Sequence, residues 1–576
     1  MKSALSIFIY FILFTMNAQD NMTYLTPYEK GNGNQTATYE ETIAYFQLLA
    51  KNFPSIQIQE MGLTDSGEPL HLVIFNPDQN FDFEAIQKNK AIYLINNGIH
   101  PGEPDGIDAT MLLFRDLALH KIDIPKNTVL VNIPIYNIGG ALNRNAHSRT
   151  NQNGPELYGF RGNARNYDLN RDFIKCDTRN ARSFAQIFQK VKPDVFLDNH
   201  VSNGANYQYT LTYIATQHQQ LGGKVGEYFH KEMMPTVLKD LQKKKIEATP
   251  YVNVFNKKPD EGFEEMLDLP RYSTGYASLF NTFSSMVETH MLKNYSDRVK
   301  VTYEYMISTL KFIEKNHSKI KELRKQQWAN YAVGTSYPIE WKLDATKFTK
   351  FPFLGYEGGY KKSEITGKDR LFYDDQKPFR KDIPYYNEYV VNKRITIPEA
   401  YIIPKAWWNV IDILKANNII YKTLTEDTLI EVESYRIEDF QTSKSAFEGH
   451  YMHSKTKLSV KKEKHVFKKG DLWIPTQQYG VRYLLATLEP EASDSFFNWN
   501  FFDAILQQKE HYSDYVFEDL AIQILKDNPT LKKAFDVKKS SDVKFADDAE
   551  AQLDWIYQNS DHYEKSHMQY PVYRVL

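Results

Sequence analysis

The sequence predicts an α/β fold, a mixed and mostly parallel sheet with helices on both faces, followed by a β-rich C-terminal domain with some helix. Three observations lead there. Apolar runs such as AIYLI at 91–95 and TVLVNIPIY at 128–136 are continuous rather than alternating, as in strands buried on both faces. They are interleaved with segments of helical periodicity, the order that places helices over a sheet. From about Trp328, short aromatic-rich strands with Gly/Pro turns replace that pattern. A chain of 576 residues exceeds one ordinary core. It divides into a leader, 1–18, a first domain, 19–320, and an accessory domain, 321–576.

The opening MKSALSIFIYFILFTMNAQ has a lysine at position 2 and an apolar run from Ala4 to Phe14, with a cut expected before Gln19. Met16 is larger than an ideal site prefers three places back. The run is shorter than the ~18 apolar residues of a membrane anchor, so a cleavable signal and export to a periplasmic or extracellular space are expected. No later stretch is long and apolar enough to span a bilayer. With 70 Lys and Arg against 72 Asp and Glu, nothing favours binding driven by nucleic-acid phosphates. The single cysteine, Cys176, cannot form an internal disulfide and reads as a buried small apolar residue.

In order along the chain, Thr38-x-x-Glu41 is a capping box ahead of ETIAYFQLLAKNF, a helix. Residues 56–76 read as a hairpin turning at Thr64–Gly67. The strand at 91–95 runs into HPGEPDG, and 107–119 is an amphipathic helix. The strand at 128–136 ends at Asn137, Gly139 and Gly140. A polar segment follows from Ala141 to Asp172, too long to be idle in a compact domain. Residues 179–189 read as helix, and PDVFL at 193–197 as a strand running into Asp198-Asn199-His200. Residues 219–241 read as one helix, SLFNTFSSMV at 278–287 as a strand delivering Glu288, and 297–316 as the helix closing the first domain. Beyond it, strands dominate until about 517, where the chain turns helical and charged.

His100, Glu103 and His200 each follow a buried strand and can converge at one sheet edge, where α/β folds place their chemistry. Two imidazoles and a carboxylate make a sound zinc set, leaving a fourth position for water. Glu288 has the same placement, and Asn170 with Arg171 could bind an anion.

In HPGEPDG, then YDLNRDF, then DNH after a strand, then Glu288 after SSMV, the chain resembles the zinc carboxypeptidases of the A and B type, over roughly Thr38 to Asn316. IPIYNIGG is similar to the family's V-P-x-x-N-P-D-G, with Ile138-Gly139 replacing Pro-Asp. The resemblance implies one Zn2+ held by His100, Glu103 and His200, with Asp168 orienting a ligand imidazole. It implies Asn170 and Arg171 as the clamp for a peptide's terminal carboxylate, and Glu288 as general base. The oxyanion arginine is expected at Arg161, nine before Asn170, chosen over Arg144, Arg149 and Arg165. The mobile tyrosine that caps substrate is expected between His200 and Glu288, with Tyr272 taken ahead of Tyr276. Asp172 stands where the family often has Asn, and would weaken the clamp if it pointed into the pocket.

The blander readings differ in weight. Glu288 could be an ion-pair partner, and Arg171 could serve Asp168 or Asp172. His147, His218, His230 and His290 read as surface or packing residues, and the pairs Trp407-Trp408 and Tyr385-Tyr386 as packing before sugar stacking. The expectation is therefore an exported zinc metallocarboxypeptidase acting on peptides. The alternatives are a same-fold amidohydrolase of cell-wall peptides or acyl-amino acids, and a non-catalytic binder whose C-terminal domain contacts a glycan or protein.

Overall fold

The computed structural model describes residues 23–576; the expected signal lies outside the described residues. Eight strands form the main sheet: β1 (Ile56–Leu63), β2 (Pro69–Phe75), β3 (Ala91–Asn96), β4 (Thr128–Ile133), β5 (Val195–Ser202), β6 (Leu211–Ala215), β7 (Ala248–Pro250) and β8 (Phe283–His290). Their order is β1-β2-β4-β3-β5-β8-β6-β7. The central four, β4-β3-β5-β8, are parallel throughout. The antiparallel pairings lie outside them, at β1-β2, β2-β4 and β8-β6.

Every residue of β3, β4 and β5 is buried, which is why these strands read as continuous apolar runs. The four helices that position the site are α1 (Tyr39–Asn52), α2 (Asp105–Ala118), α3 (Arg179–Val191) and α4 (Tyr295–Trp328). The capping box of α1 forms as expected, with Thr38 and Glu41 bonding each other's backbone. On one face of β5, Phe196 meets Phe184 and Phe188 of α3. On the other face, Asn199 lies so close to Gly106 of α2 that a Cβ there would sit 2.4 Å from the asparagine. Only glycine lets the helix start this near the strand end.

Several expected boundaries differ. His200 and Glu288 lie inside β5 and β8 rather than past their ends, because the parallel ladder continues through them. The segment at 219–241 is not one helix. Gly222 and Gly223 have φ of +76° and +54° and part the turn His218–Leu221 from a helix that runs from Gly223, through a π-helical turn at Phe229–Met233, to Lys243. Residues 273–278 are helical, and β8 starts only at Phe283. Helix α4 runs through residue 320 to Trp328, since Ile320, Leu323 and Gln327 are buried and carry the amphipathic pattern onward.

The C-terminal part is β-rich, with a six-stranded sheet that ends at one edge in the long hairpin Thr428–Thr442 and His453–Phe467. A second hairpin, Thr349–Lys362 with Asp369–Tyr386, takes Phe263–Glu264 of the first part as a third strand. Tyr385 packs there on Phe263, whereas Trp408 is 68% exposed. One continuous cluster of buried side chains runs from Tyr24 to Val572 across both parts. Arg482 is its polar tie. Fully buried, it donates to the carbonyls of Gln220 (2.6 Å) and Ser278 (2.6 Å), to Asn281 Oδ1 (3.0 Å) and to the Tyr337 hydroxyl (3.0 Å).

Because Arg482→Met would remove a donor from each of these buried acceptors, we expect it to cost about 3 kcal/mol or more of stability. A denaturant midpoint equal to that of wild type would show that the two parts do not depend on this contact.

Candidate metal centre and substrate cleft

The HPGEPDG loop closes a tight turn in which Glu103 N–H donates to the His100 carbonyl at 2.8 Å. That turn brings the two side chains of H-x-x-E together. The same Glu103 oxygen, Oε2, lies 3.2 Å from His100 Nδ1 and 3.1 Å from His200 Nδ1. One ligand atom from each of the three falls within 4.8 Å of the others, and all three residues are buried. The outer nitrogens are also held: His100 Nε2 lies 2.9 Å from Asp168 Oδ1, and His200 Nε2 lies 2.9 Å from Asp198 Oδ2. A carboxylate at each Nε2 keeps the proton there and turns both Nδ1 lone pairs inward, as histidines that hold a metal require. The donor set fits a zinc ion by type, number and orientation.

Charge reinforces the arrangement. Burial alone would raise Glu103, but Arg149 and His100 outweigh it and hold its carboxyl well below the ordinary range. Asp168 is likewise held well below its usual value, burial being overcome by His100, Arg161 and Arg171. Burial disfavours the charged form of His200, yet Asp198 and Glu103 raise it well above normal.

Strand register places the remaining acid. His200 on β5 pairs directly with Glu288 on β8, so their side chains emerge together on one face. Burial, helped by Glu103 and opposed by His200, Arg161 and Arg149, pushes Glu288 up to about 7. It opens on a cleft of about 540 Å³ that the three candidate ligands also line.

Asn170 and Arg171 line the same cleft. A short helical turn, Leu169–Arg171, is capped by Asp168, whose Oδ1 accepts from Asn170 N–H at 2.9 Å. Arg171 lies 4.6 Å over the ring of Tyr272, and its closest carboxylate is Asp168 at 4.0 Å. Arg161 donates to Asp168 Oδ2 at 2.8 Å and lies 3.4 Å from Glu103. Asp172 points away from the cleft, completely buried against Lys175 (2.7 Å) and the Asp177 and Thr178 amides. It therefore does not oppose the clamp. Tyr276 is buried in the core, donating to Asn417, and Arg144 is spent on backbone carbonyls of Thr36, Ala37 and Leu157. Cys176 is buried, its thiol pushed up to about 12 by burial. His147 is exposed, while His290 stacks on Tyr207 at 4.2 Å.

The sequence reading gave no role to Asp198 or Tyr251, and weighed Arg149 only as an alternative to Arg161. Asp198 stands two before His200 on one strand, so period-two alternation puts both on one face and would have exposed it. Arg149, 2.6 Å from Glu103 Oε1, and Tyr251, which lines the cleft near Glu288, sit in irregular segments where no periodicity marks them.

A parallel-centred mixed sheet carrying a His-Glu-His trio at the carboxyl ends of its strands, with an acid and an arginine across one cleft, is the arrangement a zinc carboxypeptidase fold would present. The zinc carboxypeptidase family profile matches residues 42–351, more than half of the chain, and the chain belongs to that family. Among solved structures it is similar to a metallo-carboxypeptidase from Burkholderia cenocepacia, at 15% identity over 49% of this chain and 70% of that one, with a TM-score of 0.35. It is also similar to carboxypeptidase A from Helicoverpa armigera, at 15% identity over 51% and 75%, with a TM-score of 0.35. No curated protein sequence matches it.

Replacing Asp168 or Asp198 by Asn should weaken zinc binding about 10- to 100-fold, because each holds a ligand imidazole in its ligating tautomer. Competition with a chromogenic chelator measures this, and unchanged affinity in both variants would remove the two carboxylates from the centre.

Proposed function

We propose that the chain is a zinc-dependent metallocarboxypeptidase that removes single residues from the C-termini of peptides. The reading rests chiefly on one arrangement: the His100-Glu103-His200 trio, Glu288 and the Asn170-Arg171 pair all line a single cleft. A bound zinc ion would supply Lewis acidity toward water and the scissile carbonyl. The chain's own groups do the rest. Arg171, stacked on Tyr272 and no nearer than 4.0 Å to an acid, binds the peptide's terminal carboxylate with Asn170 beside it. The clamp fixes which bond lies opposite Glu288. Glu288, ionised, takes a proton from the attacking water and delivers it to the departing amine nitrogen. Arg161, at the cleft wall, stabilises the oxyanion.

Tyr272 acts here as a platform for Arg171. Tyr251 is the better candidate to reach over bound substrate, since it lines the cleft and its hydroxyl is raised by burial and by Glu288. Away from the trio, Ile214, Met266, Met286 and Phe255 form an apolar part of the cleft wall. Flexible thioethers and an aliphatic wall suit an apolar C-terminal side chain and penalise a charged one, which would be buried without a partner.

Given a mixed peptide pool, the wild type should release Leu, Met or Phe at least ~10-fold faster than Lys or Asp. Glu288→Gln should lower the rate about 100-fold or more, and a chelator should abolish it. Since the base must be ionised, kcat/KM should rise with pH through the Glu288 pKa. A cation at the trio favours the carboxylate, so that acid limb should fall at or below about 7. Peptide hydrolysis that survives Glu288→Gln, or zinc bound with no residue released, defeats the assignment.

Export belongs to the same proposal. No helix among the described residues is long and apolar enough to cross a membrane. Protein recovered from outside the cytoplasm should begin at or near Gln19 on N-terminal sequencing, and an intact Met1 there would exclude cleavage.

A further inference from the structure

We infer that Glu448, from the C-terminal part of the chain, is a positioning residue for the candidate active site, acting through Asp168. The inference rests on the reading of Asp168 as the carboxylate that orients a zinc-ligating imidazole.

The long hairpin of Thr428–Thr442 and His453–Phe467 sends its connecting loop back toward the cleft. At the tip, Phe447 and His450 exchange backbone hydrogen bonds of 2.8 and 3.1 Å, closing a two-residue turn at Glu448-Gly449. Both central residues have positive φ, +48° and +80°. Such turns favour Asn or Gly at the first central position, and Glu is strained there. Nothing within the turn uses the carboxylate. Its Oε2 instead accepts from the backbone N–H of Asp168 at 2.8 Å, 280 positions away in sequence.

The tip is anchored on every side. The ideal Cβ position at Gly449 lies 2.8 Å from the Tyr167 hydroxyl, so only glycine packs against the residue preceding Asp168. His450 Nε2 lies 2.6 Å from Asp177. Phe447 and His450 both pack on Trp499, and Arg271 lies 5.1 Å from that indole and 5.9 Å from the Phe447 ring. Arg271 in turn leads into Tyr272, beneath Arg171, and Ser273, which donates to Asn170 and Asp198.

Asp168 is the junction of the site. Its two oxygens serve His100, Asn170 N–H and Arg161, and Glu448 fixes the backbone from which they spring. Withdrawing that acceptor leaves a partly buried N–H unpaired and frees the segment to shift. A misplaced Asp168 loosens the imidazole on one side and the carboxylate clamp on the other.

The test compares wild type, Glu448→Ala and Glu448→Gln in the full chain, reading zinc affinity by chelator competition and kcat and KM for C-terminal release well below the melting temperature. Glu448→Ala should weaken zinc about 10-fold and raise KM, with Glu448→Gln, which keeps an acceptor oxygen, restoring most of both. If Glu448→Ala does not fold, Glu448→Asp withdraws the oxygen by one methylene and is read in the same way. A variant that melts earlier but binds zinc and turns over like wild type overturns the proposal, because the loop is then only structural. Wild type that binds no zinc and releases no residue would instead sink the carboxypeptidase reading beneath it.

Discussion

Strand β5 lies between β3 and β8 with all eight residues buried, and its side chains alternate between two helical layers. Phe196, Asp198 and His200 share one face; a slip of one residue would turn all three to the other and bring Asn199 to the cleft. The apolar fit of Phe196 against α3 therefore locks the same register that sets His200 beside Glu288 and Asp198 beside Asn96. The chemistry of the cleft is thus held in place by hydrophobic packing several residues away from it.

Upon this frame, the cleft balances like and unlike charges at close range. Glu103 and Asp168 are each held ionised by close arginines and His100, whereas Glu288, which none of the arginines contacts so closely, is left with a raised pKa. The same burial thus gives neighbouring carboxylates different characters according to which arginine reaches them. Arg149 and Arg161 converge on one oxygen of Glu103, leaving the other to face both imidazoles.

Much of this was legible in the chain itself. The H-x-x-E turn, the strand before Asp198-Asn199-His200 and the strand bearing Glu288 each combine a local apolar pattern with a polar break, and local patterns survive folding. The end of the first helical layer was harder to see. After Ile313 only one side of α4 is covered, so its periodicity thins out before the helix stops at Trp328. Arg149 and Tyr251 belong to irregular segments, and the contact of Glu448 with Asp168 joins residues that no sequence window contains together. Such pairings arise only when the second sheet docks, which is why the C-terminal part could be recognised as β-rich but not given a role from its composition.

The short strand Tyr573–Val575 is inserted between Ala400–Ile403 and Thr428–Thr442, in the middle of the six-stranded sheet rather than at its edge. The hairpin that carries Glu448 is therefore flanked by a strand that lies much further along the chain. Disturbing Tyr573–Val575 would therefore unsettle the hairpin on which the Glu448–Asp168 contact depends, so the cleft is tied to a strand far outside the sheet that carries it.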